Sequence, residues 1–146
     1  MNQDDIEQVL KIVLEKLKGR HFNWRLEGSA NLIIQGVDTT VNDLDITTDD
    51  EGIGIFREAL KGYITKDFYS EKIKGRSLVC KIDNQEVEIN SYGDRELDMF
   101  DKTEIIQWNN LKIPLLPLGY AKIFYKLIER EDKVRLISNH LDQNIH

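Results

Sequence analysis

The stretch from Leu26 to Asp49, LEGSANLIIQGVDTTVNDLDITTD, decides the fold. Just before it, residues 22–27, FNWRLE, read as a short strand in which Phe22, Trp24 and Leu26 share one face by the two-residue repeat. Gly28-Ser29 follows at once and reads as a tight turn. Ala30 to Gln35 is a short apolar segment that predicts a helix of about two turns closed by Gly36. Residues 43–48, DLDITT, form the next strand. Leu44 and Ile46 face one way; Asp43, Asp45 and Thr47 face the other. Acidic residues sit poorly on a strand unless something needs them there.

On the N-terminal side, residues 4–18 predict an amphipathic helix. Ile6, Val9, Leu10, Val13, Leu14 and Leu17 recur at three- and four-residue steps. Asp4 or Asp5 is placed to cap it, and Gly19 to end it. On the C-terminal side, residues 49–61 predict a helix with Ile53, Phe56 and Leu60 inward. Residues 77–82 and 86–91 predict an antiparallel hairpin about the turn Asp83-Asn84-Gln85. Val87 and Ile89 point to one side of it; Glu86, Glu88 and Asn90 point to the other. Residues 63–70, YITKDFYS, supply a further strand of weak alternation. Asp98 to Asn110 reads mainly as loop around Ile105, Ile106 and Trp108. Pro114 and Pro117 disfavour a helix between them, and Pro117 suits the first turn of a helix over 118–130. A second helix follows at 131–141, with Val134, Ile137 and Leu141 on one side. This order predicts an α+β fold: a small mixed β-sheet flanked by helices, in one domain spanning residues 1–146.

Composition bounds the partners. The 146 residues carry a formal net charge of -6. Such a chain repels phosphate backbones at long range, which argues against unspecific nucleic-acid binding and suits cationic acceptors better. The single cysteine, Cys80, cannot form an intrachain disulfide and sits in an apolar stretch, which predicts a buried thiol and a cytoplasmic setting. The acidic start MNQDDIEQ is unlike a signal peptide, and no stretch has the ~20 apolar residues that a bilayer span requires.

The chemistry concentrates on three carboxylates. Asp43 and Asp45 emerge from one face of a strand, roughly 6–7 Å apart at the backbone. Glu88 is similarly flanked by apolar residues on another strand. If the two strands are neighbours, the three converge. Their repulsion then calls for compensation by a divalent cation, and all-oxygen donors suit magnesium or manganese. Gly28 lets the backbone approach a phosphate, Ser29 can donate a hydroxyl bond, and the helix start beyond it offers free N–H groups. Lys122, Lys126, Arg130 and Lys133 are candidate phosphate partners, with Lys126 first among them. His21, His140 and His146 show no metal-ligand spacing. Trp24 and Tyr92 could stack on a base or acceptor, although core packing is the better explanation of both.

Gly28-Ser29, thirteen residues, then Asp43-Leu44-Asp45-Ile46, resembles the signature of the DNA polymerase beta-like nucleotidyltransferase superfamily. The likeness is to its small and minimal members, related to aminoglycoside and lincosamide nucleotidyltransferases. The run Tyr125 to Lys133 is similar to the helix pair that closes such domains. The resemblance implies metal-dependent transfer of a nucleoside monophosphate from an NTP to a hydroxyl of a small molecule or protein. It implies that Asp43, Asp45 and Glu88 are catalytic and ligate Mg2+ (or Mn2+), and that Gly28, Ser29 and Lys126 contact the nucleotide. The third carboxylate of the pattern is often aspartate, whereas here it is Glu88, and Glu86 on the same face competes for the role. The resemblance also admits two alternatives. One is an antitoxin-like interaction protein that binds a helical partner; the other is an inactive nucleotide-binding homologue. The short chain further suggests a homodimer that completes the cleft.

Overall fold

The computed structural model describes residues 1–143. Its centre is a seven-stranded mixed sheet in the order β3-β4-β5-β2-β1-β7-β6. The strands are β1 (Trp24–Glu27), β2 (Leu44–Thr48), β3 (Ile64–Ser70), β4 (Gly75–Ile82), β5 (Gln85–Ser91), β6 (Glu104–Trp108) and β7 (Leu111–Leu115). Five helices flank them: α1 (Gln3–Lys16), α2 (Gly28–Ile34), α3 (Asp50–Ala59), α4 (Leu118–Leu127) and α5 (Glu131–Gln143). The predicted mixed sheet with flanking helices is the observed architecture.

Two apolar clusters hold it together. Leu26, Leu44, Ile46, Leu78, Cys80, Val87 and Ile89 come from the sheet and pack against Ile6, Val9, Leu10 and Val13 of α1 and Ile53 and Phe56 of α3. Leu32 of α2 joins Leu116, Ala121, Phe124, Tyr125, Val134 and Ile137 of the α4–α5 region. Because side chains alternate along a strand, the residues between the buried ones, Asp45, Glu88 and Asn90 among them, are presented on the opposite face of the sheet.

Several local expectations are corrected. Asn2, and not Asp4 or Asp5, caps α1; its side chain accepts from the Asp5 N–H while the Asp5 carboxylate accepts from the Asn2 N–H. The helix ends at Lys16, ahead of Gly19. No separate turn lies between β1 and α2, because α2 begins at Gly28 itself. Gln85 belongs to β5, so the β4–β5 turn is only Asp83-Asn84, both at positive φ, as a two-residue hairpin turn of the primed type demands. The largest correction falls on 98–110, read as mainly loop: Glu104–Trp108 is a strand, joined to β7 through Asn109-Asn110, again both at positive φ. Ile105 is 71% exposed on that edge strand, so apolar spacing carried no burial signal there. Pro114 sits inside β7, which pairs with β1 at a single registered position, Leu26 with Leu115.

Candidate functional site

Strands β2 and β5 are parallel neighbours, and their register sets Asp45 beside Glu88. Asp43, one residue ahead of β2, points the same way. One carboxylate oxygen from each of Asp43, Asp45 and Glu88 lies within 4.8 Å of the others, and all three residues are half-buried. Glu86, the competitor, is exposed and stands opposite Lys81 on β4, outside the cluster.

Electrostatics mark the cluster as unfavourable by itself. The Asp45 carboxyl is pushed up to about 7, first by burial, then by the charges of Asp43, Glu88 and Glu27, with Lys133 opposing. Three carboxylates crowded in this way gain from a cation, and a half-buried set of oxygen donors fits a hard divalent ion. Metal binding at this cluster is therefore consistent with its chemistry.

Gly28 connects the cluster to α2. Its φ is +71°, and a Cβ there would meet the Asp45 Oδ2 atom at 2.5 Å. Glycine thus serves two needs at one place, a left-handed backbone and a close approach. The Gly28 N–H donates to the Tyr125 hydroxyl at 2.8 Å, so this helix-start N–H is engaged and not free as expected. Ser29 is half-buried next to it, and its hydroxyl accepts a short hydrogen bond from the Lys133 ammonium. Of the four cations named from sequence, Lys133 is the one bonded to Ser29, and the charge of Arg130 also interacts with Asp45. Burial and the neighbouring Arg130 charge lower the Lys133 pKa, against Asp132, Asp45 and Asp43. Lys126 is exposed on α4, Lys122 is half-buried on the same helix, and Arg130 pairs with Asp132. The reason lies between the helices. Glu129, at φ +60°, ends α4 and redirects the chain, so that Lys133 does not continue the α4 face.

Beside the cluster, on β1, is an ion pair that the sequence did not disclose. Arg25 is fully buried, and its Nε donates to Glu27 Oε1 at 2.7 Å. The remaining guanidinium nitrogens donate to the carbonyls of Leu97 and Asp98. The guanidinium also lies 5.1 Å from the Phe100 ring centroid and 5.2 Å from that of Phe124. Thr47 donates a second bond to Glu27 Oε1, whereas Oε2 is buried without a hydrogen-bond partner. Glu27 stands directly opposite Asp45 across β1–β2. Alternation in FNWRLE assigns Arg25 and Glu27 to the face of Asp43 and Asp45, and that was the available signal. A polar face on a short strand ordinarily means solvent.

The remaining candidates lie elsewhere or serve packing. Trp24 packs edge-on against Phe56, and Tyr92 edge-on against Phe124. Burial, with Glu27, Asp45 and Glu88 nearby, raises the Tyr92 pKa. His21 is exposed and His140 half-buried, neither within the carboxylate cluster, and His146 lies outside the described residues. Cys80 is buried, as expected, and burial pushes its thiol up to about 11. Among the described residues no helix is long and apolar enough to cross a membrane.

Comparison with known proteins gives a consistent picture. The family model of aminoglycoside-2''-adenylyltransferase matches residues 9–140. A search of curated proteins returns no match. Among solved structures, a proposed nucleotidyltransferase from Thermotoga maritima is similar, with 25% identity and a TM-score of 0.77, covering 98% of this chain and 96% of that one. The antibiotic-resistance factor ANT(2'')-Ia is similar at 13% identity and TM-score 0.66, over 97% of this chain and 86% of that one. The lincosamide antibiotic adenylyltransferase LnuA, solved with lincomycin bound, gives 11% and 0.61, over 94% and 97%. The last two likenesses show a shared fold.

Proposed function

The chain belongs to the aminoglycoside-2''-adenylyltransferase family, within the polymerase-beta-like nucleotidyltransferases, and on that premise we propose that it transfers a nucleoside monophosphate from an NTP to a hydroxyl of a small molecule or protein, releasing pyrophosphate. Family membership and the acidic cluster support nucleotidyltransferase-type chemistry in general. The observation that carries the reading is the convergence of Asp43, Asp45 and Glu88 within 4.8 Å.

In this reading Asp43, Asp45 and Glu88 hold Mg2+ or Mn2+. When bound, the ion supplies charge neutralisation on the triphosphate and eases ionisation of the attacking hydroxyl. The protein's own groups do the rest. Ser29 offers a hydroxyl to the β- or γ-phosphate, and Lys133 brings a positive charge to the same place. Gly28 holds the α2 start against Asp45, which fixes the spacing between phosphate and metal ligands. Glu88, on β5 beside Asp45, either completes the metal's ligand set or accepts the proton of the acceptor hydroxyl. Residues 1–146 act as one domain, and the NTP is the obligate partner; ATP is the first to test.

Calorimetry with magnesium-ATP tests this. Asp43→Asn and Asp45→Asn are expected to weaken binding at least ~tenfold, the scale of one lost charge-assisted interaction. Wild-type affinity in folded variants, checked by circular dichroism, would reject the assignment.

A further inference from the structure

One oxygen beside the cluster goes unused by the mechanism above. The Glu27 carboxylate is buried, and its two oxygens stand in different situations. Oε1 accepts from Arg25 Nε at 2.7 Å and from the Thr47 hydroxyl at 3.1 Å. Oε2 accepts from no group among the described residues. Burial works against the charge of this carboxylate, and the two side chains that favour it both bond to Oε1. A buried carboxylate oxygen left without a donor costs free energy. In an interior that is otherwise satisfied, such an atom marks a donor that the polypeptide does not itself supply.

Its position says which donor. Glu27 is registered with Asp45 across the antiparallel β1–β2 pair, so the two side chains share a face, with Cβ atoms roughly 4.5–5.5 Å apart. The Asp45 carboxylate leans toward this strand, since its Oδ2 is the atom that a Cβ on Gly28, the neighbour of Glu27, would meet. The charge of Glu27 also acts on Asp45. Yet Glu27 is not a member of the group whose oxygens converge within 4.8 Å. It stands one layer behind the ligands. The hydroxyls of Tyr92 and Tyr125 lie in its field, but neither bonds to Oε2.

Coordination chemistry supplies the missing donor. A magnesium or manganese ion takes about six oxygens. Asp43, Asp45 and Glu88 each offer one within the cluster. The remaining positions fall to water and to phosphate oxygens. A water on a divalent ion is polarised and is a strong donor. An acceptor-only oxygen one layer out is the group that matches it, and such groups orient what the ion carries. Arg25 contributes by fixing Oε1, which leaves Oε2 as the free oxygen and keeps the carboxylate from turning into the ligand set.

We propose that Glu27 is a positioning residue of the metal site: its Oε2 accepts a hydrogen bond from a water on the ion held by Asp43, Asp45 and Glu88. The proposal rests on the metal-site reading above. The contact orients that water and transfers no proton.

The test titrates the full chain with Mn2+, counts bound ion by EPR and reads the waters on it by water-proton relaxation. Glu27→Gln can still accept at Oε1 but turns the Oε2 position into a donor. It is expected to weaken Mn2+ binding about tenfold, as loss of a group behind a metal ligand does, and to change the relaxation per bound ion. Arg25→Lys keeps the positive charge and gives up the fork onto the Leu97 and Asp98 carbonyls. It should lower thermal stability while Mn2+ affinity and hydration stay near wild type. Should Glu27→Gln not fold, Glu27→Asp keeps a charged partner for Arg25 but withdraws the carboxylate by one methylene, and the same two changes are expected of it. Unchanged hydration of the ion in a folded Glu27 variant would overturn the proposal, whatever the affinity. Equal effects in Arg25→Lys would also overturn it, because the pair would then act only through the fold. A wild type that binds no Mn2+, or an Asp45→Asn variant that binds it as tightly as wild type, would instead bring down the metal-site reading, and this inference with it.

Discussion

At Asp45, burial and the charges of three neighbouring carboxylates act in one direction and lift its pKa from the ordinary 3.8 to about 7. Between those two values the folded chain keeps a proton that the unfolded chain has released. Stability contributed by this group is therefore complete below the lower value and is lost as pH rises to the upper one. The loss is at most about 4 kcal/mol in metal-free protein. Urea unfolding at about pH 4 and about pH 8 should show the decline, Asp45→Asn should flatten it, and added magnesium should offset it at the higher pH. Equal metal-free slopes in wild type and variant would contradict this cause. Gly28→Ala has a different signature. A methyl group at φ +71° collides with Asp45, so the variant should lose about 2 kcal/mol or more and bind magnesium more weakly, with both effects readable in one thermal-shift series. Lys133→Ala should raise KM for the NTP about tenfold while Lys126→Ala leaves it near wild type. The reverse order would mean that α4, and not α5, supplies the phosphate contact.

Among the elements, the hairpin from β6 to β7 shows where sequence patterns carry least. The strands β2 and β5 were legible because Leu44, Ile46, Val87 and Ile89 are buried on one face while Asp43, Asp45 and Glu88 occupy the other. The edge strand β6 has no such contrast, since Glu104, Ile105 and Gln107 are all exposed. Its turn, Asn109-Asn110, was the readable cue, because asparagine tolerates the left-handed backbone that two-residue hairpins need. Asn110→Gly should leave thermal stability unchanged or slightly higher, whereas Asn110→Val should cost about 1–2 kcal/mol. Similar stability in the two variants would show that this turn is not held in its left-handed form. Lys133 was named among four candidate cations, but its rank among them was not legible. The apolar pattern placed both helices but could not reveal that Glu129 turns the chain between them, and that bend decides which lysine meets Ser29.

For the whole molecule, sheet order converts distant sequence into one surface. Residues 43 and 88 come together only because β5 lies parallel to β2, and strand periodicity gave each face but not which strands are neighbours. The buried Arg25–Glu27 pair could not be foreseen because its partners, the Leu97 and Asp98 carbonyls and the Phe100 and Phe124 rings, arrive from far along the chain. Net charge was a poor guide at this scale too: a chain of charge -6 still brings Lys133 to Ser29, within the field of Asp43 and Asp45.

The contact between Gly28 and Asp45 has a mechanical consequence. No side-chain atom of Gly28 stands between the start of α2 and the carboxylate, and there is no space to insert one. The start of α2 therefore packs directly against the carboxylate. Ser29, the next residue along α2, is thereby set beside Asp45 like the second jaw of a caliper. On the proposed reading, a ligand that bridges them is gauged by its span before its charge is weighed.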